Sequence, residues 1–164
     1  MRSILIPAAL FFLAGCDSDD PIDPFDPGDF TFTCEQVGLT SDGSMTASTS
    51  SGAFAGNCFE VNSFNGRLDI TGFDLDLTSG EFNAVIRLET DDAAPGTYPI
   101  VEDEDDPEEL YGGAAFGPSG TNTLDASSGS VTITESSANR IAGSFSFVTS
   151  NGSAVSDGRF SINF

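Results

Sequence analysis

The chain has 164 residues, of which 26 are acidic and five are basic, so its formal net charge at pH 7 is −21. All five basic residues are arginines, and the chain contains neither lysine nor histidine. The missing side chains exclude a Ser-His-Asp triad, a Ser-Lys pair and a Schiff-base lysine. The negative field makes nucleic acid and anionic lipid poor partners, and an acidic surface without lysine is typical of a halophilic, salt-tolerant protein.

The first 15 residues are predicted to be a lipoprotein signal peptide. Arg2 precedes an apolar stretch, Ile4 to Leu13, which is too short for a membrane-spanning helix of about 20 residues but suits a secretory signal. Leu13-Ala14-Gly15 before Cys16 resembles the lipobox of bacterial lipoproteins. In that family the cysteine carries a diacylglycerol, the signal is cut before it, and the new amine is usually acylated. The resemblance implies that Cys16 anchors the chain to a membrane, because several acyl chains hold firmly where one is marginal. An ordinary signal peptide that contains a cysteine is the alternative.

Residues 16–29 are predicted to be an acidic tether rich in aspartate and proline. Its three Asp-Pro repeats favour an extended backbone, which would reach on the order of 43 Å at 3.1 Å per residue. The stretch Asp17 to Asp20 resembles the acidic tags that send lipoproteins to the cell surface in some Gram-negative lineages. In other bacteria an aspartate at this place means retention at the inner membrane. We expect an outer-membrane lipoprotein exposed at the cell surface, with a periplasm-facing or inner-membrane location as the alternative.

From Phe30 onward, apolar and polar residues alternate, and glycine, serine and asparagine separate the alternating stretches. This pattern is typical of β-strands that bury one face. Short connections such as Glu135 to Asn139 predict hairpins. We therefore predict an all-β domain over residues 30–164, built as an antiparallel meander of about eight or nine strands that forms a sandwich or a barrel.

Two places where the alternation changes parity predict β-bulges. Leu68 and Ile70 share one parity, whereas the apolar positions from Phe73 to Leu77 have the other, with Gly72 between them. A bulge at Gly72 would keep all these apolar side chains on one face. The same device is predicted at Asp157-Gly158, before the last apolar positions of the chain.

Cys34 and Cys58 remain once Cys16 is assigned to the lipid anchor. An oxidising compartment favours a disulfide between them. The alternative is a pair of free thiols in a metal site, but two cysteines without histidine are a poor zinc ligand set.

Several segments resemble an uncharacterised all-β family of bacterial lipoproteins. The resemblance covers roughly residues 44–164 and rests on "MTASTSSGAFAG", "PGTYPI", "SGSVTITESSANRIAGSFSF" and "VSDGRFSINF". Ser144 replaces the usual threonine of that family, and Phe54 stands where tryptophan is common. These motifs mark strands and turns, so the resemblance implies a fold and brings no known activity.

Few residues are candidates for catalysis, and we do not expect an enzyme. Asp74 and Asp76 are predicted to share a strand face at a spacing that a glycosidase pair could use, although a solvated face has the same pattern. The glycine-rich segment 111–120 has no lysine for a phosphate loop, and we predict it to be a flexible connection between strands.

The segment "VEDEDDPEELY" is the one candidate metal site. Carboxylates supply the oxygens that calcium prefers, but the order of an EF-hand loop is missing, and a solvated acidic loop is the alternative. The candidate ligands are Glu102, Asp103, Glu104, Asp105, Asp106, Glu108 and Glu109.

These observations predict a lipid-anchored envelope protein whose β domain has a non-catalytic, structural or interaction role. The protein or glycan partner is not identified by the sequence. One alternative is a calcium-dependent adhesion or glycan-binding module. Another is a lipocalin-like carrier of a small apolar ligand, which would need a roomy apolar interior.

Overall fold

The computed structural model describes residues 31–101, 110–117 and 123–164, and the predicted signal peptide and tether lie outside them. The described residues form ten β-strands and one short 3-10 helix. In chain order these are η1 Glu35–Val37, β1 Gly43–Thr49, β2 Gly52–Gly56, β3 Cys58–Phe64, β4 Arg67–Leu75, β5 Phe82–Thr90, β6 Gly96–Ile100, β7 Gly112–Gly117, β8 Leu124–Ser137, β9 Arg140–Thr149 and β10 Ala154–Asn163.

All ten strands belong to one sheet, which curls into a nearly closed barrel. The strand order is β2-β1-β10-β9-β8-β6-β7-β5-β4-β3, so β2 and β3 are its two ends. These end strands are consecutive in the chain and separated only by Asn57. One continuous segment therefore pairs with β1 through β2 and with β4 through β3. A bridge between Thr40 and Phe59 extends the same junction.

β6 and β7 act as one interrupted strand. β6 pairs antiparallel with Gly129–Ile133 of β8, and β7 pairs with the beginning of β8 at Leu124 and Asp125. The two segments meet where Ile100 lies beside Gly112. Counting β2 with β3 and β6 with β7 leaves eight members, each antiparallel to its neighbours. The predicted all-β meander of eight or nine strands is confirmed, and it takes the barrel form.

The prediction of a flexible connection over residues 111–120 was wrong, because Gly112–Gly117 forms β7 in the middle of the sheet. The physical reason is crowding of backbone against backbone. A Cβ at Gly112 would lie 3.1 Å from the carbonyl oxygen of Tyr98 and 3.2 Å from that of Glu89. Glycine lets these chains approach, so a composition typical of a loop here serves a tightly packed strand.

The barrel interior is filled by its own side chains. Met45, Phe59, Ile86 and Ile162 are fully buried, and the rings of Phe145 and Phe160 lie 6.4 Å apart. Burying each such side chain contributes roughly 1.5–3 kcal/mol. Glycine leaves room for a bulky side chain at Gly72, because a Cβ there would lie 2.6 Å from the Met45 sulfur. These buried side chains occupy the part of the interior in which a lipocalin-like carrier would hold its ligand.

The prediction of a bulge at Gly72 was also wrong. The pairing of β3 with β4 is regular through Gly72, and the irregularity between β4 and β5 falls at Asp74 and Leu75. The apolar side chains of β4 therefore lie on both faces of the sheet. Leu68 and Ile70 enter the barrel core, whereas Phe73, Leu75 and Leu77 join a second apolar cluster. The predicted bulge at Asp157-Gly158 is confirmed, with a register shift between Val155 and Gly158 and a φ of 53° at Asp157.

The second cluster fastens residues 31–39 to the outside of the barrel. Cys34 and Cys58 form the predicted disulfide, with their Cα atoms 5.4 Å apart. Both cysteines are buried together with Leu75, and Leu39 packs against them. The backbone N–H of Phe32 donates to the carbonyl of Leu77 at 2.7 Å. The chain thus reaches the barrel beside the turn that follows β4.

Asn57 holds the junction where β2 becomes β3. Its side-chain amide donates to the carbonyl of Leu75 at 2.8 Å, and its side-chain oxygen accepts from the Leu75 N–H at 2.9 Å. The Asn57 backbone N–H donates to Phe73. The amide side chain therefore supplies the hydrogen bonds that the interrupted ladder lacks at this point.

We predict that Asn57→Ala lowers the free energy of unfolding by roughly 2 kcal/mol, because it leaves two partly buried backbone groups of Leu75 without partners. Urea denaturation followed by circular dichroism measures this change. Asn62→Ala is the matched control, since the Asn62 amide is exposed and bonds only to the Glu60 carboxylate among the described contacts. Equal stability losses in the two variants would contradict the role of Asn57.

We predict that the double variant Cys34→Ser, Cys58→Ser loses about 3.5 kcal/mol of stability, because the disulfide closes a loop across a sequence separation of 24 residues. The comparison is between urea midpoints of the wild type and the variant without reductant. Dithiothreitol should lower the wild-type midpoint and leave that of the variant in place. A wild type that is insensitive to reductant would refute the stabilising role of the bridge.

Candidate functional site

The cysteines and the acidic segment singled out from the sequence fall into two groups. Cys16 and the seven acidic residues from Glu102 to Glu109 lie outside the described residues, so lipidation and calcium binding stay predictions. Cys34 and Cys58 form a disulfide on the outside of the barrel. Among the described residues there is no group of three or more cysteine or carboxylate side chains that could hold a metal ion.

Asp74 and Asp76 do not form the carboxylate pair that the spacing suggested. β4 ends at Leu75, between them, and Asp76 lies in the following turn. There Asp76 accepts hydrogen bonds from the hydroxyl and the backbone N–H of Thr78, at 2.6 and 2.8 Å. These bonds lower the pKa of Asp76 to about 2. A general acid needs a raised pKa, so Asp76 is tuned in the opposite direction.

A groove on the outer face of the barrel is the strongest candidate for a binding site. It crosses β3, β4, β5, β7 and β8 as two depressions that share the side chains of Arg87 and Glu89, and Ile100 and Val101 at the end of β6 also line the second depression. The depression over β3–β5 has a volume of about 240 Å³, and the one over β5–β8 about 200 Å³. At a strand spacing of roughly 4.8 Å, five neighbouring strands give a groove about 19 Å long.

Paired charges form the centre of the groove. The Arg87 guanidinium bonds to the Asp69 carboxylate at 2.7 Å and forms an ion pair with Glu89. Arg67 lies 3.6 Å from the Glu89 carboxylate and 3.5 Å from that of Asp91. Strand pairing sets this arrangement, because Asp69 on β4 lies directly opposite Glu89 on β5.

The pKa of Arg87 is raised above its ordinary value, first by the hydrogen bonds to Asp69 and then by the negative charges of Asp69, Glu89 and Asp125, although burial opposes them. Two of the four arginines that follow Cys16 are thus at the groove. Exposed ion pairs contribute about 0–1 kcal/mol each, so stability is a weak reason for concentrating rare arginines here.

Small residues form the floor of the groove beyond β5. Arg87 pairs with Ala115 on β7, and Ala115 pairs with Asp125 on β8. Glu89 pairs with Gly113. A Cβ at Gly113 would lie 3.3 Å from the Glu89 carboxylate oxygen, so the missing side chain there opens the surface between two charged walls.

The other end of the groove has an aromatic ring at a hairpin tip. Phe64 is 76% exposed, the highest value among the large apolar side chains of the described residues. It precedes Asn65 and Gly66, whose φ angles of 54° and 89° fit the tight type I′ turn that joins β3 to β4. Phe64 lines the same depression as Asn62 and Arg67.

This arrangement combines planar hydrogen-bonding groups, a floor of small residues and an exposed aromatic ring. The sequence analysis did not predict it. The Phe-Asn-Gly-Arg turn and the small number of arginines were visible signals, but the row from Arg87 to Asp125 depends on which strands are neighbours.

In the described part of the chain, no helix is long and apolar enough to cross a membrane.

We predict that the Asp76 side chain titrates with a pKa of about 2 against an ordinary value of 3.8, because the turn at Thr78 stabilises its charged form. A lowered folded-state pKa means that this contribution to stability is complete above pH 4 and is lost as the pH falls through 2. Carbon-detected NMR titration of the carboxyl group measures the value. Thr78→Val should raise the pKa of Asp76, whereas Thr97→Val, whose hydroxyl contacts Thr132 instead, should not. A wild-type midpoint near 4 would contradict this account.

Comparison with known proteins identifies a family but no characterised relative. A family model described as "Domain of unknown function (DUF6252)" matches residues 41–162, which covers β1 to β10 except for the last residue of β10. No curated protein and no solved structure matches the chain. The match covers more than half of the chain, so the chain belongs to the family described as domain of unknown function DUF6252.

Proposed function

We propose that this protein is a lipid-anchored component of the bacterial cell envelope, whose β barrel is a non-catalytic module with an interaction or structural role. The proposal of a lipid anchor is based on the sequence Leu13-Ala14-Gly15-Cys16 after a short apolar stretch. The observation that carries the interaction role is the outer groove, whose charged, small and aromatic side chains are typical of a recognition surface.

The way the chain joins the barrel supports an attachment that withstands a pulling force. Phe32 is hydrogen-bonded to Leu77, and its ring lies against Gly80 in the turn after β4. Two residues further on, Cys34 is bonded covalently to Cys58 on β3. A pull on the N-terminal segment would therefore be transmitted to the barrel through a disulfide and would not peel off β1.

The high negative charge of the protein supports a location in solvent, away from anionic lipid headgroups. With residues 1–15 removed, 26 acidic residues stand against four arginines, which is a net charge of −22. Such a charge keeps a domain soluble and away from anionic lipid headgroups. We propose the outer membrane, with the barrel facing outward, and the membrane as a partner through the lipid anchor alone.

We predict that labelled palmitate enters the wild-type protein and not Cys16→Ala, because the thiol of Cys16 would be the acylated group. Gel fluorography after metabolic labelling in a bacterial host measures the incorporation. Cys34→Ser is the matched control, since it removes a cysteine from the disulfide and should still be labelled. Equal labelling of the wild type and Cys16→Ala would end the lipoprotein proposal.

The same bacterial strains test on which side of the outer membrane the barrel lies. Protease added to intact cells should remove the barrel from the wild type if the barrel faces outward, while a periplasmic marker stays intact. Full protection of the barrel would move the proposed location to the periplasm.

A further inference from the structure

The outer groove raises the question of what kind of molecule it binds. Its walls contain more acid than base, with Asp69, Glu89 and Asp125 facing Arg67 and Arg87. Together with a net charge of −21 for the whole chain, this arrangement repels polyanions. Nucleic acid and acidic polysaccharides are therefore excluded as occupants.

The paired charges leave the groove able to bind neutral groups. Each arginine already has carboxylate partners, so the charges are largely compensated within the protein. A hydroxyl group donates one hydrogen bond and accepts others. Neighbouring hydroxyls on one molecule can thus donate to the carboxylates of Asp69 or Glu89 and accept from the guanidinium of Arg87. Hydrogen bonds to charged groups are stronger than those between neutral ones, and a sugar hydroxyl can replace a water molecule in such a bond without leaving the charged group unpaired.

The exposed ring of Phe64 adds an apolar contact that the fold does not require. Most of the described phenylalanines pack inside the barrel or in the second cluster, and the Phe64 ring at the hairpin tip, 76% exposed, is more exposed than those of Phe32, Phe82 and Phe164. The face of an aromatic ring is electron-rich and attracts polarised C–H groups. A pyranose ring presents C–H groups on its faces and hydroxyls around its edge, so it matches a platform surrounded by planar polar side chains.

The position and length of the groove fit a chain-like ligand. The groove runs across five strands from the Phe64 tip to Asp125, with the glycine and alanine floor of β7 between them. The Phe64 tip and the turn after β4 are at opposite ends of β4, which at roughly 3.4 Å per residue are about 30 Å apart. The aromatic end of the groove is thus remote from Phe32, where the N-terminal segment reaches the barrel.

We infer that the groove over β3, β4, β5, β7 and β8 binds an uncharged oligosaccharide, with Phe64 stacking on one sugar ring and Asp69, Arg87 and Glu89 bonding to its hydroxyls. This inference deepens the proposed interaction role by naming the site and the class of ligand. Asn62 and Asp125 extend the hydrogen-bonding walls on either side. Gly113 keeps the floor open where a side chain would obstruct the ligand.

The test is isothermal titration calorimetry of the full chain in a zwitterionic detergent that contains no sugar. The probes are neutral hexasaccharides of glucose, mannose and N-acetylglucosamine, with hexagalacturonate as an anionic probe and hexalysine as a cationic one. At least one neutral hexasaccharide should bind at both low and high sodium chloride, and hexagalacturonate should not bind.

The variants locate the binding. Phe64→Ala should weaken the affinity for the neutral hexasaccharide roughly tenfold, since it removes both the stacking contact and the apolar area that the sugar ring would bury. Phe164→Ala is the matched control, because that ring is 53% exposed but does not line the groove, and the affinity should stay within about twofold. Gly113→Leu should abolish binding by filling the floor. Gly113 does not have a left-handed φ, and the group nearest its Cβ is the end of the Glu89 side chain, so this variant should fold.

Three results would overturn the inference. The first is a lack of binding by every neutral hexasaccharide. The second is an affinity that neither Phe64→Ala nor Gly113→Leu changes. The third is salt-sensitive binding of hexalysine alone, which would assign the groove to a basic protein segment instead. A wild type that takes up no labelled palmitate could still bind a hexasaccharide. The two experiments therefore distinguish failure of the lipid-anchor proposal from failure of the binding-site inference.

Discussion

Closure of the barrel at Asn57 is the constraint on which the rest of the structure depends. A sheet with two free edges would present unpaired backbone groups along β2 and β3, and such edges favour aggregation. The chain avoids this because β2 and β3 are one segment that changes partner from β1 to β4 at Asn57. The ladder is interrupted at the change, and the amide side chain of Asn57 bonds both backbone groups of Leu75 there. One side chain thereby completes a ring of strands around the core.

Near the junction at Asn57 the sheet is apolar on both of its faces. On the inner face Phe59 and Ile70 enter the barrel core. On the outer face Cys58 and Leu75 would be exposed if residues 31–39 did not cover them. The disulfide holds that cover in place, so covalent cross-linking, side-chain hydrogen bonding and apolar burial all act at the junction. The part of the groove over β4, β5 and β7, by contrast, lies where these three strands pair without a register shift, from Arg87 to Glu89.

Much of the fold could be predicted from the sequence because the strands alternate in polarity and short turns separate them. The all-β class, the hairpin near Asn139, the bulge at Asp157-Gly158 and the Cys34–Cys58 pair all follow from local patterns. The prediction of a bulge at Gly72 was wrong because the parity argument assumes that all apolar side chains enter one core. Residues 31–39 instead cover a second apolar cluster on the outer face of the sheet. β7 was missed because Gly112 is needed for close backbone contact, which composition cannot distinguish from a flexible loop. The groove could not be predicted, since Arg87, Ala115 and Asp125 come together only through the register of three strands that are distant in sequence.

The distribution of charge and of exposed apolar residues gives the barrel two different ends. At the turn after β4, Asp76 is tied into a local hydrogen-bond network and the disulfide lies close by. At the opposite end of β4, the Phe64 ring projects from a turn that needs only Asn65 and Gly66 for its geometry. Nothing in the packing of the core requires an aromatic residue at that tip, and exposing it costs the protein the burial that a core phenylalanine would gain. Two of the scarce arginines thus lie beside an exposed ring, at the end of β4 that is remote from residues 31–39. This arrangement is the physical basis on which we propose an interaction role for the groove.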